Sequence, residues 1–463
     1  MARVALVAPS ESLRDMLVTV AAAGTVEIDT ELASGAATDQ AGPAAAVLAA
    51  TAQEATTLAR EGRQDLLAGE RQLRHFADRA VRRHGCAALA GWTPVDQVGA
   101  LRALLTPIGS AVVVLRRPRG AEPPTLVAGS SGRQALSPLV STYGTVPYPD
   151  VNPAWLAWAA YVLMFGMMFG DVGHGLLLIA AAIALRAGWP ASVRRYRGAW
   201  PFVAGAGLTA TIFGFAYGEF FGPTGVLPAL WLSPIARPLP LLAAGLAFGA
   251  VLLAGAYTLG VVNRWREGGW RTAFYAPSGV AGSALFLGAG LLALGWYRHA
   301  GALLAAGTTL AVSALLVAFA GFLASAGGGG YGVLQAVVEV VDLVIRLGSN
   351  IASFARLAAF GLAHAALGLL VWDGTRALWH RGGIMVVLAG GLLIAGNALA
   401  FALEGLVAAV QAIRLEYYEL FSRVFVAEGR PFRPWRLRID DGDAGRRENG
   451  GGPVLARAGG AVG

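Results

Sequence analysis

Long apolar runs occupy most of the chain after residue 150. A helix needs about 20 apolar residues to cross the hydrocarbon core of a bilayer. The pattern predicts eight spans, at residues 155–171, 173–187, 199–221, 240–262, 275–297, 301–325, 331–371 and 383–424. At about 1.5 Å per residue, each of the last two reaches roughly 60 Å, so these helices must tilt strongly, bend or project from the bilayer.

A shorter, alternating pattern precedes the apolar runs. It predicts strands at residues 3–7, 24–28, 89–92 and 111–115, and helices at 11–23, 44–83 and 95–105. The predicted fold class is a mainly α membrane protein with a small N-terminal α/β lobe. The predicted domains are a lobe over 1–117 with a short helical arm at about 44–83, a linker over 118–150, an eight-helix membrane domain over 151–425 and a tail over 426–463, disordered from about 440.

Composition narrows the class of protein. Hydrophobic residues make up 56% of the chain and charged residues only 14%, with a mean hydropathy of +0.58, which excludes an ordinary soluble domain. The net charge of +8 comes without a basic–aromatic cluster, so we expect no nucleic-acid partner. One cysteine, Cys86, excludes an internal disulfide framework. We find no phosphate loop, metal cluster or nucleophile motif, so the sequence predicts no catalytic residues, no metal and no cofactor.

Arginines between the predicted spans indicate orientation. Positive loops favour the cytoplasmic side of a membrane. Loops on the side of the N-terminal lobe carry Arg194, Arg195, Arg197, Arg264, Arg266 and Arg271, and the tail adds Arg423, Arg430, Arg433, Arg436 and Arg438. The opposite loops carry only Arg237, Arg298, Arg376 and Arg381. Both termini are therefore predicted to be cytoplasmic.

Polar side chains recur within the last two predicted spans. In 331–371 they follow each other every three or four residues, and with Phe360 they comprise Gln335, Glu339, Asp342, Arg346, Ser349, Ser353, Arg356 and His364. Residues 383–424 carry Asn397, Glu404, Gln411 and Arg414 on one broad face. Ionisable groups at membrane depth cost several kcal/mol unless they are paired or wetted, so these rows predict a buried polar pathway. Glu339, Asp342 and Arg346 are also compatible with a local pairing near the membrane boundary, and His364 with a satisfied core histidine.

Several long motifs resemble one known family, the V/A-type ATPase subunit a, also called subunit I. They are MFGMMFGDVGHG (164–175), FGFAYGEFFG (213–222), NIASFARLAAFGLAHAAL (350–367) and ALEGLVAAVQAIRLEYYELF (402–421), with GWTP (91–94), PPTL (123–126) and EGRPFRPW (428–435) outside the spans. The resemblance implies a bacterial cell-membrane protein that is the stator of a rotary ATPase. The family's cytoplasmic part is usually about twice as long, so we expect one lobe to be missing or the arm to be shortened.

The resemblance also implies site residues. The family's essential stator arginine falls on Arg356, and its second arginine on Arg414. Its ion-passage glutamate falls on Glu404 and the histidine of its L-A-H-A motif on His364. We expect Gln411, Ser349 and Ser353 to line aqueous routes, and Glu339, Asp342, Arg346 and Asn397 to lie at the mouths of the channels. For Asp171, His174 and Glu219 we favour helix packing over conduction.

The implied partners are a proteolipid ring, peripheral stalk subunits, the lipid membrane and, indirectly, the central stalk and the catalytic sector. In the implied mechanism, ring carboxylates are neutral in lipid and ionise beside the stator arginine, so that an ion crosses only when the ring turns. Proton and sodium stay alternatives, as do pumping and synthesis. A secondary transporter with a midplane ionic site would show an internal repeat, and none is evident. A non-conducting assembly paralogue is the other alternative.

Overall fold

The computed structural model describes residues 1–29, 46–49, 55–117, 121–126, 140, 144–148, 150–151, 153–275, 279–327, 329–424 and 429–440. These residues form two compact units. The first comprises residues up to Leu126 together with the described residues from Arg430 onward, and the second extends from Val127 to Gly429. Most of the predicted linker, and the tail beyond residue 440 for which disorder is expected, lie outside the described residues.

The first unit is an α/β lobe. Its strands are β1 (Ala2–Pro9), β2 (Glu27–Ile28), β3 (Val47–Ala49), β4 (Val81–Arg83), β5 (Cys86–Thr93), β6 (Ala111–Leu115) and β7 (Arg438–Asp440). Its α-helices are α1 (Leu13–Ala23), α2 (Ala55–Arg60), α3 (Gln64–Arg79) and α4 (Val98–Leu105). The antiparallel sheet has the order β2-β5-β1-β6, with β4 also pairing with β5, and β3 pairs with β7 in parallel.

Alternation along β1 explains how the sheet packs. Val4, Leu6 and Ala8 point to one face and are buried, because successive side chains of a strand point to opposite faces. In the register of the sheet, Leu6 lies opposite Leu89 on β5 and Val112 on β6, so apolar side chains of three strands meet on that face. The α/β lobe that the sequence predicts is confirmed in type.

Residues 44–83 differ from the helical prediction at both ends. Val47–Ala49 forms β3 and Val81–Arg83 forms β4, with α2 and α3 between them. The partner of β3 is β7, which lies almost 400 residues further along the chain. Local periodicity carries no signal for such a pairing. The tail residues that follow Gly429 thus belong to the lobe, where Trp435 packs on Phe76 with the rings 4.7 Å apart.

The second unit is helical and confirms the predicted class of fold. Its helices are α5 (Ala154–Met168), α6 (Val172–Ala187), α7 (Trp200–Tyr217), α8 (Pro238–Tyr275), α9 (Val280–Arg298), α10 (Gly301–Ser325), α11 (Gly329–Ser353), α12 (Ala355–Trp379), α13 (Met385–Leu415) and α14 (Ser422–Val424). Six helical segments among the described residues are long and apolar enough to cross a membrane. Helices α5 and α6 have only 15 and 16 residues, so the number of eight spans stays a prediction.

Both of the longest predicted spans contain an irregularity. The segment 329–379 is divided at Phe354, where α11 ends and α12 begins. A π-helix, Glu416–Phe421, follows α13 and leads into α14. The length of these segments predicted that they tilt, bend or project. The helix break at Phe354 has neither proline nor glycine at its position in the sequence.

The break at Phe354 is packed against α8. Phe354 is fully buried, and a Cβ at Gly249 of α8 would come within 2.1 Å of its Cγ. The neighbouring atoms include Cβ of Phe354, which cannot swing away. A glycine is therefore required where α8 crosses the start of α12.

Gly249→Ala is expected to destabilise the helical unit by about 1–3 kcal/mol, because overpacking forces the backbone at Phe354 to shift. Unfolding of the purified chain in mixed micelles, followed by tryptophan fluorescence, measures the effect. Gly255→Ala on the same helix is the matched control, since nothing lies within 4 Å of a Cβ there. Equal stability of the two variants would contradict the packing argument.

Candidate functional site

The Arg356 side chain lies at the break between α11 and α12. Its Nε donates a hydrogen bond to the carbonyl oxygen of Ser353 at 3.0 Å. The last carbonyls of a helix lack intrahelical partners, so this bond satisfies one of the groups that the break leaves open. The same bond fixes the guanidinium next to the helix end. Its position is therefore set by the break itself.

Two further groups face the Arg356 guanidinium from the end of α13 and from the π-helix. Nη1 donates to Oε1 of Gln411 at 3.4 Å. Nη2 lies 3.8 Å from Oε1 of Glu419, which is within ion-pair distance but longer than a hydrogen bond. The Arg356 side chain is 24% exposed and that of Glu419 is 8% exposed. The guanidinium thus has a buried counter-charge on one side and access to the surface on the other.

Glu419 belongs to a network that the sequence analysis missed. In the orientation that its neighbours favour, the Asn350 side-chain amide donates to Oε2 of Glu419 at 2.7 Å and accepts from Nη2 of Arg423 at 2.7 Å. Arg423 also lies over the ring of Tyr257, 5.5 Å from its centroid. The sequence contains one signal for Glu419, which is a carboxylate eight residues after Gln411 at the end of an apolar helix.

A second cluster forms between α12 and α13. Nδ1 of the buried His364 is in direct contact with Oε2 of Glu404. The His364 ring lies 4.8 Å from the ring of Phe169 and 5.4 Å from that of His174. The structure therefore brings His364 and Glu404 together and adds His174 to them.

Asp171 caps the first turn of α6. Its Oδ1 accepts from the backbone N–H of His174 at 2.9 Å, and its Oδ2 accepts from the N–H of Gly222 at 2.7 Å. An N-cap carboxylate satisfies donors that a helix start leaves open. The first bond stabilises the start of α6, and the second joins α6 to the loop after α7.

Glu219 lies in that same loop, and its side chain is buried. Its side chain is 2% exposed, and neither carboxylate oxygen has a hydrogen-bond partner among the described residues. It lies within electrostatic range of Asp171, His364 and Glu404. A buried carboxylate that makes no bond is costly, so this position is not explained by packing alone.

The remaining predicted residues lie on α11 and α13. On α11, Glu339 and Ser349 are exposed, and Arg346 pairs with Asp342 one turn earlier. Arg414 is exposed on α13, and no carboxylate among the described residues lies within ion-pair distance of it. Asn397 donates to the carbonyl of Leu393 on its own helix.

A cavity of about 610 Å³ adjoins the second cluster. It is lined by apolar side chains such as Phe220, Trp372 and Ile394, and by the polar side chains of His174 and Asn397. This cavity places a polar edge next to the buried histidines. Asn397, which spacing alone put on the polar face of α13, lines it.

Along α13 and the π-helix, Glu404 precedes Gln411 and Glu419 follows it. A fixed guanidinium with an exposed edge can attract a mobile carboxylate or repel a cation, and it stays charged in a poor dielectric. A buried histidine–carboxylate contact offers polar groups at a depth where lipid offers none. The described part of the site thus has the components of an ion pathway interrupted by a fixed positive charge.

Comparison with known proteins identifies relatives of this chain. The sequence profile of the V-type ATPase 116 kDa subunit family matches residues 73–191 and 331–437, which include Asp171, Arg356 and Glu404. The A-type ATP synthase subunit I of Aeropyrum pernix is 29% identical over 418 residues, covering 78% of this chain and 59% of the relative. The A-type ATP synthase subunit I of Thermococcus kodakarensis is 27% identical over 399 residues, covering 81% of this chain and 58% of the relative.

A eukaryotic relative matches over a shorter stretch. The human V-type proton ATPase 116 kDa subunit a 3 is 33% identical over 162 residues, or 32% of this chain and 20% of the relative. The chain spans somewhat less than three fifths of the length of the archaeal relatives. From the profile match and the similarity over most of its own length, the chain belongs to the V-type ATPase 116 kDa subunit family.

Proposed function

We propose that this chain is the membrane stator subunit of a rotary V/A-type ATPase and forms the two ion half-channels against a proteolipid ring. The observation that carries the proposal is the Arg356 guanidinium, which is fixed at a helix break by Ser353, Gln411 and Glu419 but keeps an exposed edge. A structural arginine would be enclosed by its partners. A stator arginine must instead be held rigidly and still meet a passing carboxylate.

The exposed edge of Arg356 supports a role in charge selection. A ring carboxylate is neutral in lipid, since a bare charge there is very costly. Beside a guanidinium the ionised form is favoured, so the carboxylate releases its ion. The same fixed charge repels cations, which prevents them from moving directly between the half-channels. Ring rotation is then the only route from one to the other.

Polar groups lie on both sides of Arg356 along α13 and its π-helical extension. Glu404 precedes Gln411 by seven residues and Glu419 follows it by eight, which corresponds to about 10 Å in each direction. We assign Glu404 and His364, with the cavity beside Asn397, to one half-channel. Glu419, Asn350 and Ser353 line the other, and Glu339, Asp342, Arg346 and Ser349 lie towards its mouth on α11.

Exposed apolar faces on α11 and α13 support a proteolipid ring as the partner. Val338, Val341 and Ile345 of α11 are more than half exposed, and so are Leu403, Leu406 and Val410 of α13. Faces of this kind at membrane depth contact lipid or apolar helices. Arg414 is exposed on the same helix α13 and is the second arginine presented to the ring.

The N-terminal lobe and the orientation complete the proposal. Arginine asymmetry favours cytoplasmic termini in a bacterial cell membrane. The lobe then lies on the side of the catalytic sector, where it binds peripheral stalk subunits, and it contacts the central stalk only indirectly. The transported ion is a proton or sodium, since the ion-binding carboxylate belongs to the ring.

The test compares cells that lack this chain with cells in which it is restored. We expect a rotary complex, isolated by a tag on a stalk subunit, to contain the chain and the ring, and ATP-driven ion uptake into inverted vesicles to require it. Uptake is measured with a pH-sensitive dye and, in parallel, with ²²Na⁺. Isolation of the chain without a ring would favour a secondary transporter. Full uptake without the chain would leave only an assembly role.

A further inference from the structure

The second cluster contains three groups that can ligate a metal. One ligand atom each of Asp171, His174 and His364 lies within 4.8 Å of the others, and all three side chains are buried. The sequence predicts no metal site, because the three residues are spread over some 190 positions with no ligand spacing. They meet because the His174 ring at the start of α6 lies beside the His364 ring of α12.

Distances in the cluster suit a tetrahedral ion. Ligand atoms about 2.0–2.1 Å from a tetrahedral zinc lie about 3.4 Å from each other. Oδ1 of Asp171 and Nδ1 of His174 are 3.6 Å apart. The rings of His174 and His364 lie 5.4 Å apart at an angle of 67°, as two imidazoles on one ion can. All three ligand atoms lie within 4.8 Å of one another, so binding an ion requires side-chain movements of up to about 1.4 Å.

Glu404 holds the ring of His364 in a ligating orientation. Nδ1 of His364 is occupied by the Glu404 carboxylate, so Nε2 is the nitrogen left for an ion. A histidine that ligates a metal usually donates its other N–H to a carboxylate, which fixes the tautomer and the ring. Asp171 can bind an ion although it already accepts two backbone N–H groups, because a carboxylate has about four acceptor positions.

Glu219 is the independent observation that points to a ligand. Its carboxylate is 2% exposed and has no hydrogen-bond partner among the described residues, yet it lies within electrostatic range of Asp171, His364 and Glu404. Oxygen Oε1 of Glu404 likewise has no hydrogen-bond partner within the described ranges. Three carboxylates and two histidines in one apolar region call for a compensating charge. A divalent cation supplies it.

A cation can approach from one side. His174 and Asn397 line the cavity of about 610 Å³, so an ion in that cavity has a polar edge beside the first ligand. Aromatic rings surround His174, with Phe169 and Phe221 packed on it. A smaller cavity of about 210 Å³ reaches His364 and Glu404 from another side. The aromatic rings keep the surroundings of His174 apolar, which strengthens ligation.

We propose that Asp171, His174 and His364 form a binding site for a divalent transition-metal ion of the zinc class, with Glu404 orienting His364 and Glu219 neutralising the second charge. Imidazole nitrogen and carboxylate oxygen are a ligand set that zinc accepts. An ion bound there also occupies the half-channel assigned to Glu404 and His364. That consequence depends on the proposed function, whereas the metal site itself does not.

The test measures metal binding on the full-length chain in detergent. The protein is purified on a tag without histidine, stripped with a chelator and dialysed against micromolar Zn²⁺, and bound metal is measured by mass spectrometry. We expect one tightly bound ion per chain, and His174→Phe to lose it. Phenylalanine keeps the packing against Phe169 and Phe221 while removing both ring nitrogens. His380→Phe is the control, since His380 is exposed at the end of α12.

X-ray absorption at the zinc edge of the unaltered protein gives a second measurement that no variant can confound by misfolding. It should show nitrogen and oxygen ligands at about 2.0–2.1 Å with scattering from two imidazoles. No retained zinc, equal binding by His174→Phe, or fewer than two imidazoles would overturn the site. Zinc binding without any effect on ion uptake would leave the site intact and contradict the proposed half-channel.

Discussion

Replacing Arg356 by alanine is expected to reduce ATP-driven ion uptake to background while the complex still assembles. The guanidinium is the only group in the described structure that combines a fixed position at a helix break with an exposed edge and a buried counter-charge. Without it, no positive charge stabilises the ionised form of the ring carboxylate at the stator, and no charge separates the two half-channels. Uptake into inverted vesicles at equal amounts of assembled complex measures this effect.

Two further variants test whether the loss of ion uptake is specific to the Arg356 guanidinium. Arg376→Ala removes an exposed arginine from the end of the same helix and should leave uptake unchanged. Arg356→Lys keeps a positive charge, but a lysine lacks the planar fork that bonds Ser353 and Gln411 together, so we expect a large loss here as well. Unchanged uptake by Arg356→Ala would make this residue structural and the rotary proposal wrong.

Apolar length and composition were enough to predict the class of fold. The runs at 240–262 and 301–325 lie within or match α8 and α10, because a bilayer-length apolar helix is encoded locally. The predicted strands at 3–7, 24–28, 89–92 and 111–115 overlap β1, β2, β5 and β6, and β1 alternates between its two faces. Such elements are specified by residues next to each other in the chain. The candidate site is specified only partly by residues that are close together in the chain.

Features that depend on residues far apart in the chain could not be predicted from the sequence. The nine positions at three- and four-residue spacing in 331–371 indicate one continuous face, but the break at Phe354 divides it. At this break Phe354 packs against Gly249 on another helix. Strand β7 pairs with β3 from the far end of the chain. Glu419 and Asp171 acquire their partners from other elements, so neither the counter-charge of Arg356 nor the metal-ligating cluster follows from spacing.

The position of Arg356 depends on a buried network, which leads to a second large effect. Glu419→Ala is expected to lower the free energy of unfolding of the helical unit by about 2–3 kcal/mol. Breaking a buried ion pair by removing one partner typically costs about 3–5 kcal/mol, because the remaining charge is left uncompensated. We expect less here since the Arg356 side chain is 24% exposed and can reach water. Unfolding in mixed micelles, followed by tryptophan fluorescence, measures the change.

Comparison of three variants separates the charge of Glu419 from its hydrogen bonds. Glu419→Gln keeps an acceptor for the Asn350 amide but removes the charge that faces Arg356, so its stability should lie between those of the native chain and Glu419→Ala. Asp373→Ala removes an exposed carboxylate of α12 and should change stability by less than about 0.5 kcal/mol. If Glu419→Ala is as stable as Asp373→Ala, the network does not hold the guanidinium. The fixed position of Arg356 would then come from Ser353 and Gln411 alone.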